Sequence, residues 1–436
     1  METLLIIIFI LGYLAIALEH KIHIDKAASA LLLGGICWTL LVISGNTFFP
    51  LLSPTDITHT IDHSLAEHLS EISSILFFLL GAMTIVELID AHGGFRVITD
   101  CISTVNRVTL LWVIGVLTFF LSAVLDNLTT AIVISALLKK LMRDRNDLWT
   151  FGSVVIIAAN AGGAWSPIGD VTTIMLWIGG QVTALNLVKV LLLPSLVCLI
   201  VPLGILSVML KGDFIRPAAE HLDAAHAHPA AGRERVLMLT CGVLGLLFVP
   251  VFKTLTHLPP YLGMLIALGA LWVLNEFLHR SKEDNHKRSL SVTHIIGKVD
   301  VPTVLFFLGI LLAVSALQTA GILTQLATLL DEKVGNVYLI TTIIGMLSAV
   351  VDNVPLVAGA IGMYPLSLFP QDHIFWELLA YTAGTGGSML IIGSAAGVAV
   401  MGILRIDFMW YMRRMTLLAA SGYFAGIAVL YLIKTL

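Results

Sequence analysis

The hexapeptide Ser122-Ala123-Val124-Leu125-Asp126-Asn127 recurs as Ser348-Ala349-Val350-Val351-Asp352-Asn353, each copy inside apolar sequence. Each copy places an ionisable carboxylate where hydrocarbon would surround it. An Asp at the centre of a membrane helix costs roughly 2.5–3.5 kcal/mol on insertion scales, so it marks a functional site by default. Two such residues at matching places in two halves point to a secondary transporter built from internal repeats.

The surrounding sequence supports a membrane setting. The 436 residues are 58% hydrophobic and only 12% charged, whereas soluble domains carry about 25% charged residues. With a mean hydropathy of +0.97, the chain reads as an all-α polytopic membrane protein with the lipid bilayer as its partner. A net charge of −4 gives no sign of nucleic acid. Cys37, Cys101, Cys198 and Cys241 are scattered with no CxxC, so neither a disulfide framework nor a zinc site is indicated. The N-terminus lacks the positive region of a signal peptide, and residues 3–18 read as a retained first span.

A span needs about 20 mostly apolar residues. Ten segments qualify: 3–18, 28–45, 72–90, 148–183, 186–210, 236–253, 260–278, 300–318, 374–404 and 415–433. Those at 148–183 and 374–404 are too long for one straight helix and carry Gly-rich polar sequence in the middle. Two more stretches, 108–140 and 335–369, carry the hexapeptides. The arm from Leu128 to Leu138 is too short to cross at 1.5 Å per residue, so both stretches read as re-entrant hairpins. Non-helical backbone at that depth is tolerated only when packed in protein or lining a wet cavity.

With the N-terminus outside, 20 of the 24 Lys and Arg residues fall in cytoplasmic segments, the bias that the positive-inside rule demands. Lys189, Lys253, Lys333 and Lys434 are the remainder. Loop 46–71 has four acids and no Lys or Arg, as an external loop should. The first hairpin is flanked by Arg107 and Lys139-Lys140 and enters from the cytoplasm; the second has no basic residue between Lys333 and Arg405 and enters from outside. Both termini are expected outside.

The repeat extends beyond the hexapeptides. Phe78-Leu79-Leu80-Gly81 aligns with Phe306-Phe307-Leu308-Gly309, and Asn160-Ala161-Gly162-Gly163 with Gly384-Thr385-Gly386-Gly387. Each half then holds five spans and one hairpin. An odd number reverses the second half, giving an inverted repeat about an axis in the membrane plane. Residues 1–210 form the first repeat, 211–235 a polar cytoplasmic linker, and 236–436 the second repeat.

The chemistry concentrates at the tips and breaks. Asp126, Asn127 and Thr129 sit at the first tip. Asn160, Ser166, Asp170 and Thr172 lie along the first broken span, where Pro167 and the glycines favour unwinding. The second half offers Asp352, Asn353, Thr385, Ser388 and Ser394. Exposed carbonyls, Asn and Thr oxygens and an Asp form a hard oxygen site for a small cation such as Na⁺ or Li⁺. The Na⁺ site itself is assigned to Asp126, Asn127, Asp352 and Asn353. Gly-rich breaks also serve helix packing, and an Asp-Asn pair also caps a turn, yet a cap needs no charge. Glu87 is a third acid at depth, with Ser315 as its counterpart; it reads as a proton relay or as a span-end acid. His92, after Asp90 at a span end, is a pH-sensor candidate. His221, His226 and His228 fit no zinc spacing and read as a solvated loop.

The doubled Ser-Ala-Val-[Leu/Val]-Asp-Asn, with Ala159-Asn160-Ala161-Gly162-Gly163-Ala164-Trp165-Ser166-Pro167-Ile168-Gly169-Asp170 after the first copy, resembles the NhaD-type sodium/proton antiporters of the ion transporter superfamily, over nearly the whole chain. Arsenite exporters and dicarboxylate/sodium symporters are related. The likeness to those symporters implies a homodimer whose transport domain moves as an elevator against a scaffold. The symporters carry Ser-Asn-Thr at their hairpin tips; the carboxylates at Asp126 and Asp352 suit a cation exchanged for protons and argue against a dicarboxylate.

The expected function is therefore exchange of Na⁺ or Li⁺ for H⁺ across a bacterial cytoplasmic (inner) membrane, with no cofactor beyond the transported ions and no enzymatic activity. Burial disfavours the ionised form of a carboxylate and a bound cation favours it, so Na⁺ and H⁺ compete for Asp126, Asp352 and Asp170. An exporter of another solute, an arsenite-type oxyanion or organic anion, is the alternative. An intramembrane aspartyl protease would need Tyr-Asp and Gly-x-Gly-Asp signatures, which Leu125-Asp126, Val351-Asp352 and Gly169-Asp170 do not match.

Overall fold

A computed structural model describes residues 1–17, 19–99, 104–210, 212–213, 232–280 and 290–435. The linker between Asp213 and Gly232, with His221, His226 and His228, lies outside the described residues, as does Cys101. Helices α1 (Glu2–Ala17), α2 (Lys26–Ile43) and α3 (Pro54–Ala91) come first. Next are α4 (Arg107–Leu125), α5 (Asn127–Leu141), α6 (Arg145–Gly163), α7 (Val171–Ile178) and α8 (Ala184–Met209). The second half holds α9 (Gly232–Thr256), α10 (Pro260–His279), α11 (Val301–Thr319) and α12 (Ile322–Lys333). It continues with α13 (Val337–Leu347), α14 (Asn353–Met363), α15 (Ile374–Gly386), α16 (Ala395–Leu404) and α17 (Thr416–Thr435). Among the described residues the only β pairing is an isolated bridge between Asn106 and Asp213.

Eight of the ten apolar segments expected to span each follow one helix, and 148–183 and 374–404 are helical on either side of breaks at 164–170 and 387–394. Among the described residues, eight helices are long and apolar enough to cross a membrane by length and composition, and Arg107–Leu125 is one of them. One expectation is corrected: residues 54–71 are not loop but the first turns of α3, a single helix of 38 residues. Its polar start is helical for local reasons. The Ser53 side chain accepts from the Asp56 amide, and Pro54 opens the first turn, where its missing N–H costs nothing. At 1.5 Å per residue α3 is about 57 Å long, well beyond the roughly 30 Å hydrocarbon core. The excess polar turns therefore project past the apolar stretch, and polarity there had the look of a loop.

Small residues let the helices touch. A Cβ on Gly34 of α2 would lie 2.6 Å from the Gly309 carbonyl oxygen of α11. The Trp38 indole donates to Leu312 O at 2.9 Å along the same seam. Close backbone approach of this kind is how helices associate without a hydrophobic driving force between them.

Polar ties mark two ends of the molecule. At one, the Arg107 guanidinium at the start of α4 donates to Asp147 near the start of α6, at 2.8 Å, and Trp149 donates to Leu404 O at the end of α16. At the other, Asp372 accepts from the Thr183 amide at 2.7 Å. Buried Glu377 there accepts from Asn186 and from Lys434, and Tyr364 donates to Asp331 at 3.1 Å. Between the two ends, four helices begin in mid-molecule after a break: α5, α7, α14 and α16.

Candidate ion-binding site

The breaks arise where backbone must pass backbone. A Cβ on Gly162 would strike the Phe119 carbonyl of α4, and a Cβ on Gly386 would strike the Gly345 carbonyl of α13. Only glycine permits those approaches. Each break is then held by a serine: Ser122 donates to Ala159 O at 2.6 Å and Ser348 to Ala383 O at 2.9 Å.

Each of the four mid-molecule helices is capped by its preceding side chain. Asp126 accepts from the Thr129 amide at 2.7 Å, Asp170 from the Thr172 amide at 3.0 Å, Asp352 from Val354 at 3.3 Å and Ser394 from Gly397 at 3.1 Å. A helix N-terminus carries about half a positive charge, which offsets part of the cost of a nearby carboxylate. Three of the four caps are carboxylates, so helix ends offset part of the cost of placing Asp at the breaks.

The convergence point is Asp170, only 1% exposed. The Asn127 amide of the first hexapeptide donates to its Oδ2 at 2.8 Å, and the Asn353 amide of the second donates to the same oxygen at 3.3 Å. The Thr172 hydroxyl adds a bond at 3.0 Å. Asn127 also donates to Asn160 Oδ1 at 3.1 Å, and Asn160 donates to both Ser388 and Ser394 at 2.9 Å. Seven expected residues thus form one buried network that joins both halves: Asn127, Asn160, Asp170, Thr172, Asn353, Ser388 and Ser394.

The other expected residues lie around it. Asp126 turns to its own helix and also accepts from the Thr129 hydroxyl at 2.9 Å. Ser166 donates to Ala123 O, bracing the first break against the first tip. Thr385 donates back to Tyr381 O of its own helix. Asp352 faces Lys26, with Nζ 4.0 Å from Oδ2. Lys26 is one of the 20 basic residues counted as cytoplasmic, and nothing in its sequence context signals that partner. Glu87 lines a cavity of about 220 Å³ together with Asp90, Thr129, Lys298 and Asp300.

A polytopic helical fold with paired helix breaks meeting at a buried carboxylate defines a membrane transporter rather than an enzyme. The family model described as "Citrate transporter" matches residues 7–384. The chain is 47% identical over 427 residues to "Sodium/proton antiporter 1" of Arabidopsis thaliana, covering 98% of this chain and 72% of that protein. It is 46% identical over 423 residues to "Sodium/proton antiporter 2" of the same plant, covering 97% of each. It is 31% identical over 421 residues to the "Na(+)/H(+) antiporter NhaD" of Vibrio cholerae, covering 91% of this chain and 84% of that protein. The chain belongs to the NhaD-type sodium/proton antiporters of the ion transporter superfamily.

Proposed function

We propose that this protein exchanges Na⁺, or Li⁺, for H⁺ by competition of the two ions for intramembrane carboxylates. The observation that carries the reading is the meeting of Asn127 and Asn353, one from each hexapeptide, on the single carboxylate of Asp170. An ionised carboxylate offers about four acceptor sites, and donors fill those of Asp170. An Asn side chain turned about its last torsion presents its oxygen in place of its NH₂. Turning Asn127 and Asn353 would convert two donors to the carboxylate into two ligands of a cation beside it. A proton on Asp170 removes the charge that the cation needs, so the two ions exclude each other. Asp126 and Asp352, one residue before those amides, are the further carboxylates of the exchange, with Thr129 beside the first.

The alternating-access reading rests on the repeat. Start of α4 and start of α6 are joined through Arg107 and Asp147, as expected if α4 and α5 return to the face from which they entered. Asp331 and Tyr364 flank α13 and α14 in the same manner, on the end that also holds Asp372 and Glu377. These ties support two re-entrant hairpins entering from opposite faces in an inverted repeat, and with it an elevator-type motion. The names of the relatives support the ions. Bacterial and plant relatives leave a bacterial inner membrane and outward-facing termini as parts of the proposal, together with a homodimer.

The test uses proteoliposomes with a trapped pH dye. A pulse of Na⁺ or Li⁺ is expected to move protons the opposite way, with the KM for Na⁺ rising as the pH falls, because the proton competes. Flux of citrate or arsenite with no alkali-cation dependence would overturn the reading.

A further inference from the structure

Lys26 is the first residue of α2, and its backbone is fixed by Asp25, whose carboxylate accepts the Ala27 amide at 2.7 Å. From there its side chain runs to the second helix break. Its ammonium lies 4.0 Å from Asp352 Oδ2 and 4.6 Å from the centre of the Phe306 ring on α11. A carboxylate and an aromatic face attract a cation independently, so two forces hold it there. The side chains are 24% and 19% exposed, enough shelter to weaken screening by salt.

The pair stands beside the central network. Lys26 and Asp352 line a cavity of about 70 Å³ with Tyr13, Glu19 and Ser394, and Ser394 accepts from Asn160. A second cavity of about 300 Å³ reaches Lys26 past Asp25, Asp300 and Thr303. Lys26 therefore stands between open space and the carboxylate. The first hexapeptide has nothing comparable: among the described residues Asp126 makes no ion pair, and its carboxylate is taken by Thr129.

We propose that Lys26 is a tethered competitor of the transported cation at Asp352. The inference rests on the exchange proposed above and names what sets the affinity of its second carboxylate. An ammonium and Na⁺ are both monovalent cations, and one carboxylate facing a narrow cavity takes one of them. When a small cation reaches Asp352, the flexible Lys stem swings the ammonium aside. When the cation leaves, the ammonium returns and the half-buried carboxylate is not left bare. A group on a short flexible tether has an effective concentration in the millimolar range, so the competitor holds the Na⁺ requirement up and hastens release.

Purified full-length protein in proteoliposomes tests this with a Na⁺ series at fixed pH, comparing wild type, Lys26→Met and Lys26→Arg. Lys26→Met keeps the stem over Phe306 and removes the charge. Its KM for Na⁺ should fall by about fivefold or more while kcat changes by less than about twofold, as expected for a lost competitor at millimolar effective concentration. Lys26→Arg should stay near wild type. A KM unchanged or raised in Lys26→Met overturns the inference. A binding readout separates this from the exchange itself: Na⁺ raises the unfolding temperature of protein that binds it, and choline serves as control. Na⁺ should protect Lys26→Met, and a second variant Lys26→Gln, at lower concentration than wild type. A wild type that shows that protection but moves no protons defeats the exchange and leaves Lys26 to be judged on the binding shift. Equal protection midpoints in wild type and both variants defeat the role of Lys26.

Discussion

The first and second helix breaks share a backbone and differ in chemistry. Ser122 and Ser348 make the same bond to the facing helix. Gly162 and Gly386 make the same approach to a facing carbonyl, as do Gly163 and Gly387 to Gly169 and Gly393. The caps then diverge. Asp170 heads α7 where Ser394 heads α16. Asp126 stands at φ 106°, ψ 161°, whereas Asp352 has φ −50°, ψ 137°. The frame is duplicated because both breaks need the same close backbone passage, and of the two broken-span caps only Asp170 is a carboxylate.

The sharpest way to break this comparison is to exchange the caps. Asp170→Asn removes the charge that Asn127, Asn353 and Thr172 serve. Hydrogen bonds to a charged group contribute about 1.5–3 kcal/mol each, so losing two, about 3–6 kcal/mol, implies a drop of roughly 100- to 10,000-fold in transport. Ser394→Ala removes one neutral cap and one partner of Asn160, and should cost about tenfold or less. The measurement is Na⁺-driven proton flux on protein that remains monodisperse. Equal losses at the two positions would mean that the halves share the ion evenly, and full activity in Asp170→Asn would remove Asp170 from the site.

The shared frame is tested by Gly162→Ala and Gly386→Ala. Each methyl meets a carbonyl that cannot move without its helix, so each should lower stability by about 1–3 kcal/mol, the usual cost of overpacking. Gly35→Ala on α2 meets nothing within 4 Å and should be neutral or slightly stabilising, since Ala favours helix by about 1 kcal/mol. Thermal unfolding in detergent reads all three. A large effect at 162 with none at 386 would show that only one break depends on close passage.

The tips should respond with opposite sign to glycine. Asp126 occupies a backbone region that is nearly glycine-only and costs on the order of 1–3 kcal/mol for other residues. A cap Asp replaced by Gly loses only a few tenths of a kcal/mol. Asp126→Gly should therefore raise stability by about 1 kcal/mol while impairing transport. Asp352→Gly has no such strain to relieve and should lower stability by about 0.5–1 kcal/mol through the freer unfolded chain. Stabilisation at both positions would deny the difference in strain.

Much of the site was legible before any coordinate. A repeated polar hexapeptide in apolar sequence and a Gly-rich break are local signals, and Asn127, Asn353 and Asp170 were all found through them. Which carboxylate becomes central was not legible. The two repeated Asp residues drew attention by their cost, yet their caps turn them toward their own helices, and the amides beside them reach the centre. That choice is set by the backbone at each tip, φ 106° at Asp126 and φ −50° at Asp352, which local sequence does not announce. The Lys26–Asp352 pair was hidden because residues 326 apart in sequence meet only through packing of α2 on α11. The polar start of α3 looks like loop in sequence because polarity is shared by loops and by helices that outrun the bilayer.

The smallest expected effect is also the most symmetric. Ser122→Ala and Ser348→Ala each delete one buried hydroxyl bond between facing helices. The acceptors, Ala159 O and Ala383 O, lie near the ends of α6 and α15, where helix carbonyls run short of intrahelical partners. Leaving one under-satisfied should cost about 0.5–1 kcal/mol. The two variants should match within about 0.5 kcal/mol, and the double variant should show their sum, since sites with no common partner add. The chemical denaturation or thermal midpoint of each is the measurement. A deficit at Ser122 alone, close to the acid-bearing break, would place mechanical weight on the half that holds the charge. Matched deficits would separate the roles: both halves hold the frame, and one half carries the buried carboxylate at its centre.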